Sequence, residues 1–380
     1  MKKKIVLFML AGVLSVSSLT GCSSFKADDV VATVGEQEIT AEVANFYARY
    51  VQAQYETYYS AYLGEDMWNS EASEGKTYEE SVKESVLETL EDMVLLEQHM
   101  DEYEVTLTDE EKEAVKEAAK EFSEVNPLED KEKVSGSEKA VKRVMTLMAV
   151  QMKMQDAIEA GADTEVSDEE AAQKSMQYVS FPYTSTDDEG KSVDMTDEEK
   201  AETKEKAEAF AEAVKKESDF EAYAKDQELE AKIATFDAES KAPSEDLVKA
   251  ADQLKEGEVT GLIETDGGCY VAKVTSLLDR EATDAKKESI VNERKQKLYT
   301  DTCEKLRKDA KVKVNDEVWE KISFKDVKVT IKQEEKDPYA NEVQTDDVAD
   351  AEEDADAQEE EDTDADSDKE EDADPDEGAK

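Results

Sequence analysis

The sequence predicts an α+β fold followed by a disordered acidic tail. Three observations predict it. Apolar residues recur at three- and four-residue steps through most of the chain between Ala41 and Ala160. Between Met176 and Ser276, strand-like and helix-like segments alternate in the order β-α-β-α-β-β, the mark of a mixed domain. After Lys332 the hydrophobic periodicity ends.

The chain opens with Lys2, Lys3 and Lys4, an apolar stretch from Ile5 to about Val16, and then Leu19-Thr20-Gly21-Cys22. A cationic start, a short apolar run and small residues before the cut describe a secretory signal peptide over residues 1–21, too short to be read as a membrane span. The small residues followed by Cys resemble the lipobox of bacterial lipoproteins. That resemblance implies that Cys22 becomes the acylated N-terminus, with residues 22–29 as a tether. Each buried CH₂ contributes only about 0.8 kcal/mol, so stable anchoring needs several acyl chains.

Val30–Val34 and Gln37–Thr40 read as a small hairpin around Gly35. Thr40 can cap a helix from Ala41 to about Leu63 that presents Tyr47, Tyr50 and Tyr58. A second runs from about Tyr78 to Met100, and another from Ser137 to Ala160 carries Met145, Met148 and Met152. Thr108-Asp-Glu-Glu111, Ser167-Asp-Glu-Glu170 and Thr196-Asp-Glu-Glu199 each match a capping box and predict three helix starts. One helix is expected through Phe210, Val214, Phe220 and Tyr223, and a shorter one over Glu245–Leu254. A strand pair is expected at Val259–Ile263 and Cys269–Ser276. Thr283 caps a long helix to about Lys308, and short strands follow at Val312–Val314 and Val327–Ile331.

Net charge is −53, and residues 341–380 hold 21 acidic and two basic residues without a single aromatic. Such a segment cannot bury enough apolar surface to offset its ordering entropy, so residues 333–380 are expected to be disordered. Body and tail are both acidic, which excludes nucleic acid and anionic lipid headgroups as partners. The alternation of Asp362, Asp364, Asp366 and Asp368 lacks the Gly and Glu of a calcium loop, since Ser367 and Ala373 stand there. No metal and no cofactor is expected. Cys269 and Cys303 are the only cysteines after Cys22 and are expected as buried or half-buried thiols.

The arrangement resembles the PrsA-type foldase lipoproteins, which are related to SurA-like chaperones. The residues that carry the resemblance are the lipobox, Val31-Ala32-Thr33-Val34-Gly35 through Thr40, and the stretch from Leu247 through Ala250-Ala251, Leu254 and Gly257-Glu258-Val259. Gly267-Gly268-Cys269-Tyr270-Val271, continuing to Lys273-Val274, completes it. It implies a helical SurA-N-like chaperone domain from residues 30–165, completed by 283–331. A parvulin-like α+β domain over residues 170–282 is inserted between them.

The same resemblance implies peptidyl-prolyl isomerase activity, which must lower an amide rotation barrier of about 18–20 kcal/mol. Parvulins use two histidines on neighbouring strands, an acidic or Cys residue, and an apolar proline pocket. Here Tyr178 and Tyr270 stand at the two histidine positions, Lys232 at the acidic one and Asp252 at a pocket Phe, with Pro243 near the usual Met. His99, the only histidine, sits in an amphipathic helix, where a packed or surface role is expected. No confident catalytic residue emerges.

The reading is therefore a lipid-anchored foldase on the outer face of the cell membrane, binding unfolded or nascent exported polypeptides with an impaired isomerase module. Tyr47, Tyr50, Tyr58, Met145, Met148 and Met152 are its candidate client-binding residues, because aromatic rings with polar tips and adaptable thioethers suit varied partners. For any one of them, core filling is the competing role. The reading admits a homodimer. An active isomerase and a structural or scaffold lipoprotein are the alternatives.

Overall fold

The computed structural model describes residues 13–18, 25–64, 66–73, 75–186 and 190–332. Cys22 and the acidic tail lie outside them. Strand β1 (Leu14–Ser18) precedes the hairpin of β2 (Val30–Val34) and β3 (Gln37–Thr40). The helices α1 (Ala41–Tyr58), α2 (Tyr78–Gln98), α3 (Asp109–Val125), α4 (Leu128–Lys133) and α5 (Glu138–Glu159) follow. Next come β4 (Lys174–Pro182), α6 (Asp197–Val214), α7 (Phe220–Asp226), β5 (Lys232–Phe236), α8 (Glu245–Asp252), β6 (Ile263–Thr265) and β7 (Gly268–Ser276). The long α9 (Arg280–Asp309), β8 (Val312–Val314) and β9 (Val327–Ile331) complete the described chain.

Local signals account for most helix starts. Thr108 and Thr196 form full capping boxes with Glu111 and Glu199, and Thr77 forms one with Glu80. Ser167 corrects the expectation of a third helix after such a signature. Glu170 N does donate to Ser167 Oγ at 3.1 Å, but the chain makes only a turn there. It must be extended by Lys174 to enter β4. Asp168 is held by Arg280 and Lys287 of α9, and Glu170 by Arg294. These cations hold the Asp168 carboxyl down at about 2, chiefly through the hydrogen bonds from Lys287 and Arg280.

Three further expectations are corrected. The helix expected through Phe210 and Tyr223 is two, since Asp219 Oδ1 accepts from Ala222 N and starts α7 afresh. The cap of α9 is Asp279; Thr283 is fully buried one turn inside, its Oγ1 accepting from Gln173 N at 3.1 Å. Val259 makes only an isolated bridge to Lys273, and the ladder proper begins at Ile263.

Both ends of the described chain build one helical body. β8 pairs with β2, extending the hairpin to the sheet β8-β2-β3, while β9 pairs antiparallel with β1. A continuous core joins Val31, Phe46, Leu90, Met93, Phe122 and Val144 to Trp319, Phe324 and Val329. Each such side chain contributes roughly 1.5–3 kcal/mol on full burial. Two buried carboxylates staple the C-terminal segment on. Glu56 accepts from Trp68 Nε1, Gln52 Nε2 and Val329 N, and Glu79 from Ser323 Oγ and Phe324 N, all at 2.7–2.9 Å. The buried carboxylates are thus fully partnered, as burial of charge requires.

The mixed region is a four-stranded antiparallel sheet in the order β6-β7-β4-β5. Side chains alternate across it. Val179, Phe181, Cys269 and Val271 face α6 and α7 through Phe210, Val214 and Phe220. Met176, Phe236, Ala272 and Val274 face α8 through Leu247, Val248 and Ala251. The chain enters and leaves side by side, with Asp279 N donating to Gln173 O at 2.7 Å. From there α9 returns to the helical body, packing Leu298, Tyr299, Cys303 and Leu306 on Leu96, Val150, Met154 and Ile158.

Candidate functional site

The α8 face of the sheet carries the positions where the sequence places isomerase chemistry. Tyr178 on β4 lies opposite Ala272, and Tyr270 on β7 opposite Ser180, which makes the two tyrosines diagonal neighbours on one face. Their ring centroids are 6.5 Å apart at 45°, and both are half-buried. Tyr270 is set by the turn before it. Gly268 has φ of +146°, and a Cβ there would stand 2.4 Å from Phe181 O, so only glycine lets β7 approach β4 at this point.

Lys232 on β5 is the register partner of Tyr178 on the other side of β4, and its side chain is exposed. Thus Tyr178, Tyr270 and Lys232 come together at one end of the sheet. Asp252 does not join them. Its carboxylate accepts from Lys174 Nζ at 2.9 Å, as does its main-chain carbonyl. Lys174 is four residues from Tyr178, about 13 Å along an extended strand. The expectation that Asp252 fills the apolar pocket is therefore corrected: the last turn of α8 directs it to the strand's other end. Apolar lining beside the tyrosines comes from Met176, Leu247, Val248, Ala251 and Ile263.

On the opposite face, Tyr183 Oη bonds Cys269 Sγ (3.2 Å) and Glu264 Oε1 (3.0 Å), and Lys204 Nζ donates to Glu264 at 2.6 Å. Burial pushes the Cys269 thiol up, against the lowering bond from Tyr183. A protonated, buried thiol is a poor nucleophile. Cys303 is likewise buried and its thiol raised by burial. His99 ends α2 in the helical body, its Nδ1 2.7 Å from Glu102 Oε1, outside the mixed region.

The candidate client-binding side chains divide by exposure. Met145 is fully buried and Tyr47 is 9 % exposed, so both fill the core. Burial pushes Tyr47 up to about 12. Tyr50 and Met148 are half-buried against that core. Tyr58 and Met152 reach solvent at 54 % and 39 %, and Tyr59 and Tyr62 join Tyr58 at the end of α1. The α1 face follows from its termination: the helix stops at Tyr58, and the short turn Ser60–Leu63 contributes no buried residue.

Sequence reasoning missed one concave site. A cleft of about 730 Å³ lies between α1, α4 and the start of β9, lined among others by Asn45, Arg49, Leu128, Ser135 and Val327. Asn45 and Arg49 are each 2 % exposed. Asn45 Nδ2 donates to Ser135 Oγ, and Arg49 Nη1 to Gln52 Oε1 and Ser323 O. Asn45 Oδ1 and Arg49 Nε are left without partners. Burial lowers Arg49 to about 10, which leaves it charged at neutral pH. An Arg and an Asn four residues apart on a helix otherwise facing its core were the only available signal. Among the described residues, no cluster of His, Cys, Asp and Glu is arranged to hold a metal, and no helix is long and apolar enough to cross a membrane.

Comparison with known families matches both parts. Residues 1–132 match the SurA-like N-terminal domain and residues 186–287 the PPIC-type PPIase domain. The pairing defines the class as a SurA-like chaperone body carrying a parvulin-type module. These two domains and their order support a PrsA-type foldase. Similar solved structures include the foldase protein PrsA of Lactococcus lactis, at 14% identity and a TM-score of 0.34, covering 78% of this chain and 99% of that one. A SurA-like chaperone of Campylobacter jejuni follows at 13% identity and a TM-score of 0.29, covering 75% and 99%. PrsA of Bacillus cereus stands at 18% identity and a TM-score of 0.29, covering 67% and 96%. No curated protein matches the chain.

Proposed function

We propose that this protein is an extracytoplasmic foldase, anchored by acylated Cys22 and holding unfolded exported polypeptides, whose parvulin-like module is catalytically impaired. The observation that carries the impairment is the Tyr178–Tyr270 contact on the sheet face where the family's two histidines are expected. Phenols donate and accept hydrogen bonds, so the pair keeps a polar link between β4 and β7. Exposed Lys232 supplies no carboxylate at the third position. A cation there does not replace the acid, and the amide barrier falls only where preorganised groups stabilise the twisted carbonyl. The apolar lining from Met176, Leu247 and Ile263 supports retained binding of apolar segments in the absence of turnover.

The lysine-led leader ending in Cys22 supports a place on the outer side of the membrane. The anchor must act alone, because a chain at −53 is repelled by anionic headgroups. The test uses the soluble chain from Ser23 in two assays. It should suppress aggregation of an unfolded secreted protein at near-stoichiometric ratio and fail to accelerate a protease-coupled Ala-Pro isomerisation. Clear acceleration that Tyr270→Ala abolishes would instead favour an active isomerase.

A further inference from the structure

Strand β9 has two edges with different fates. On one, α1 satisfies the backbone: Gln52 Nε2 donates to Val327 O (2.6 Å), Val329 N to Glu56 Oε2 (2.7 Å) and Ile331 N to Thr57 Oγ1 (2.9 Å). On the other, the partner is β1, a piece of the expected leader, in the register Leu14↔Ile331 through Ser18↔Val327. Alternation along an antiparallel ladder then assigns the Lys328 and Thr330 amides to β1. Lys332 N, donating to Val13 O at 2.8 Å, continues that series.

β1 is seated as a half-buried strand. Leu14 is 7 % exposed and Val16 packs on the helical core, while Ser15 and Ser17 face solvent. Leu14 N donates to the buried Asn126 Oδ1 at 2.7 Å. Once residues 1–21 are removed, β9 keeps a row of unpaired amides and carbonyls above two vacated apolar slots. Such an edge is a template for another extended chain. Past the position of Ser18, opposite Val327, the same path runs to the cleft where Arg49 Nε and Asn45 Oδ1 are unpartnered.

We propose that β9 is the strand-accepting edge of the foldase. An extended client segment with alternating apolar residues adds to it antiparallel in the place that Leu14–Ser18 holds in the precursor, beside the cleft that Arg49 and Asn45 line. The leader thus occludes the site until cleavage. This rests on the chaperone reading above and names the site within it. The occupant is set by what the chain itself seats there: an uncharged strand with an apolar residue at every second position.

The test compares the chain from Ser23 with a chain from Val13 that retains β1. A fluorescein-labelled peptide of residues 13–18 should bind the Ser23 form saturably, bind the Val13 form at least tenfold more weakly, and be displaced by reduced, alkylated α-lactalbumin. Thr330→Pro, which removes one amide of the open edge, should weaken peptide binding tenfold or more. Should that variant unfold, hydrogen exchange on the unaltered chain decides. The Lys328 and Thr330 amides should exchange fast in the Ser23 form and slow on addition of the peptide. Equal binding by both forms, or protection without peptide, overturns the proposal. If unfolded α-lactalbumin binds the Ser23 form but neither displaces the peptide nor responds to Thr330→Pro, the edge is wrong and the chaperone reading survives. If the peptide binds and no unfolded protein does, the edge stands and the chaperone reading falls.

Discussion

Glu91 shows how burial sets a single residue's chemistry. It is 6 % exposed on α2, and its Oε1 has no hydrogen-bond partner. Desolvation raises its pKa from 4.5 to about 7, with Arg307 pulling the other way. The folded protein therefore holds a proton at Glu91 between those two values, where the unfolded chain has lost it. Stability falls as pH rises from 4.5 towards 7 and the loss is complete above 7. Glu91→Gln should stabilise the protein at pH 8 by up to about 3 kcal/mol, because each tenfold change in proton affinity is worth about 1.4 kcal/mol. It should change little at pH 4. Thermal melts at the two pH values check this, and equal effects at both would remove the explanation. At the site, Tyr178 and Tyr270 follow the same logic of position. Strand alternation places both on one face, but their contact depends on a register that Gly268 permits.

Among the elements, α9 joins a weak amphipathic pattern to explicit docking. Thirty residues long, it buries only Thr283 and Cys303 fully. Its place is fixed near the end, where Arg307 Nε and Nη2 meet both oxygens of Asp92 at 3.0 and 2.6 Å. Paired charge-assisted bonds of this geometry are about twice as strong as neutral ones. Arg307→Ala should cost about 1.5–3 kcal/mol in urea unfolding, because Asp92 is left half-buried and unpaired. Adding Asp92→Ala should cost less than the sum of the two single changes. A strictly additive pair would mean that the Arg307–Asp92 contact contributes nothing to holding α9.

At the scale of the whole molecule, the helical body is discontinuous in sequence and the mixed region is an excursion from it. Gln173 and Asp279 are hydrogen-bonded neighbours, and the cores on the two sides of the four-stranded sheet are separate from the helical one. Replacing residues 174–278 by a short Gly-Ser linker should leave a cooperatively folding body, with helical circular dichroism and a sharp melt. Ending the chain at Asp279 should abolish cooperative folding. That truncation removes β8, β9 and the Trp319, Phe324 and Val329 side chains, and it takes Val329 N from Glu56 and both Ser323 Oγ and Phe324 N from Glu79. A truncated chain that still melts sharply would refute the shared core.

Much of this organisation was legible locally. The hairpin around Gly35, the capping boxes at Thr108 and Thr196, and the strand alternation through Met176–Phe181 all act within a few residues. They were readable because hydroxyl caps, glycine turns and side-chain periods have the same energetics in any fold. The sequence by itself determined the α+β class and the acidic character that opposes electrostatic attachment to a membrane. The tertiary structure decided the rest. It withheld a helix from Ser167, turned Asp252 to Lys174, buried Met145, assembled the Arg49–Asn45 cleft and laid Leu14–Ser18 on β9. The physical reason is common to all five. Each depends on partners far away along the chain, and whether a local preference is obeyed depends on the burial and pairing those distant groups supply.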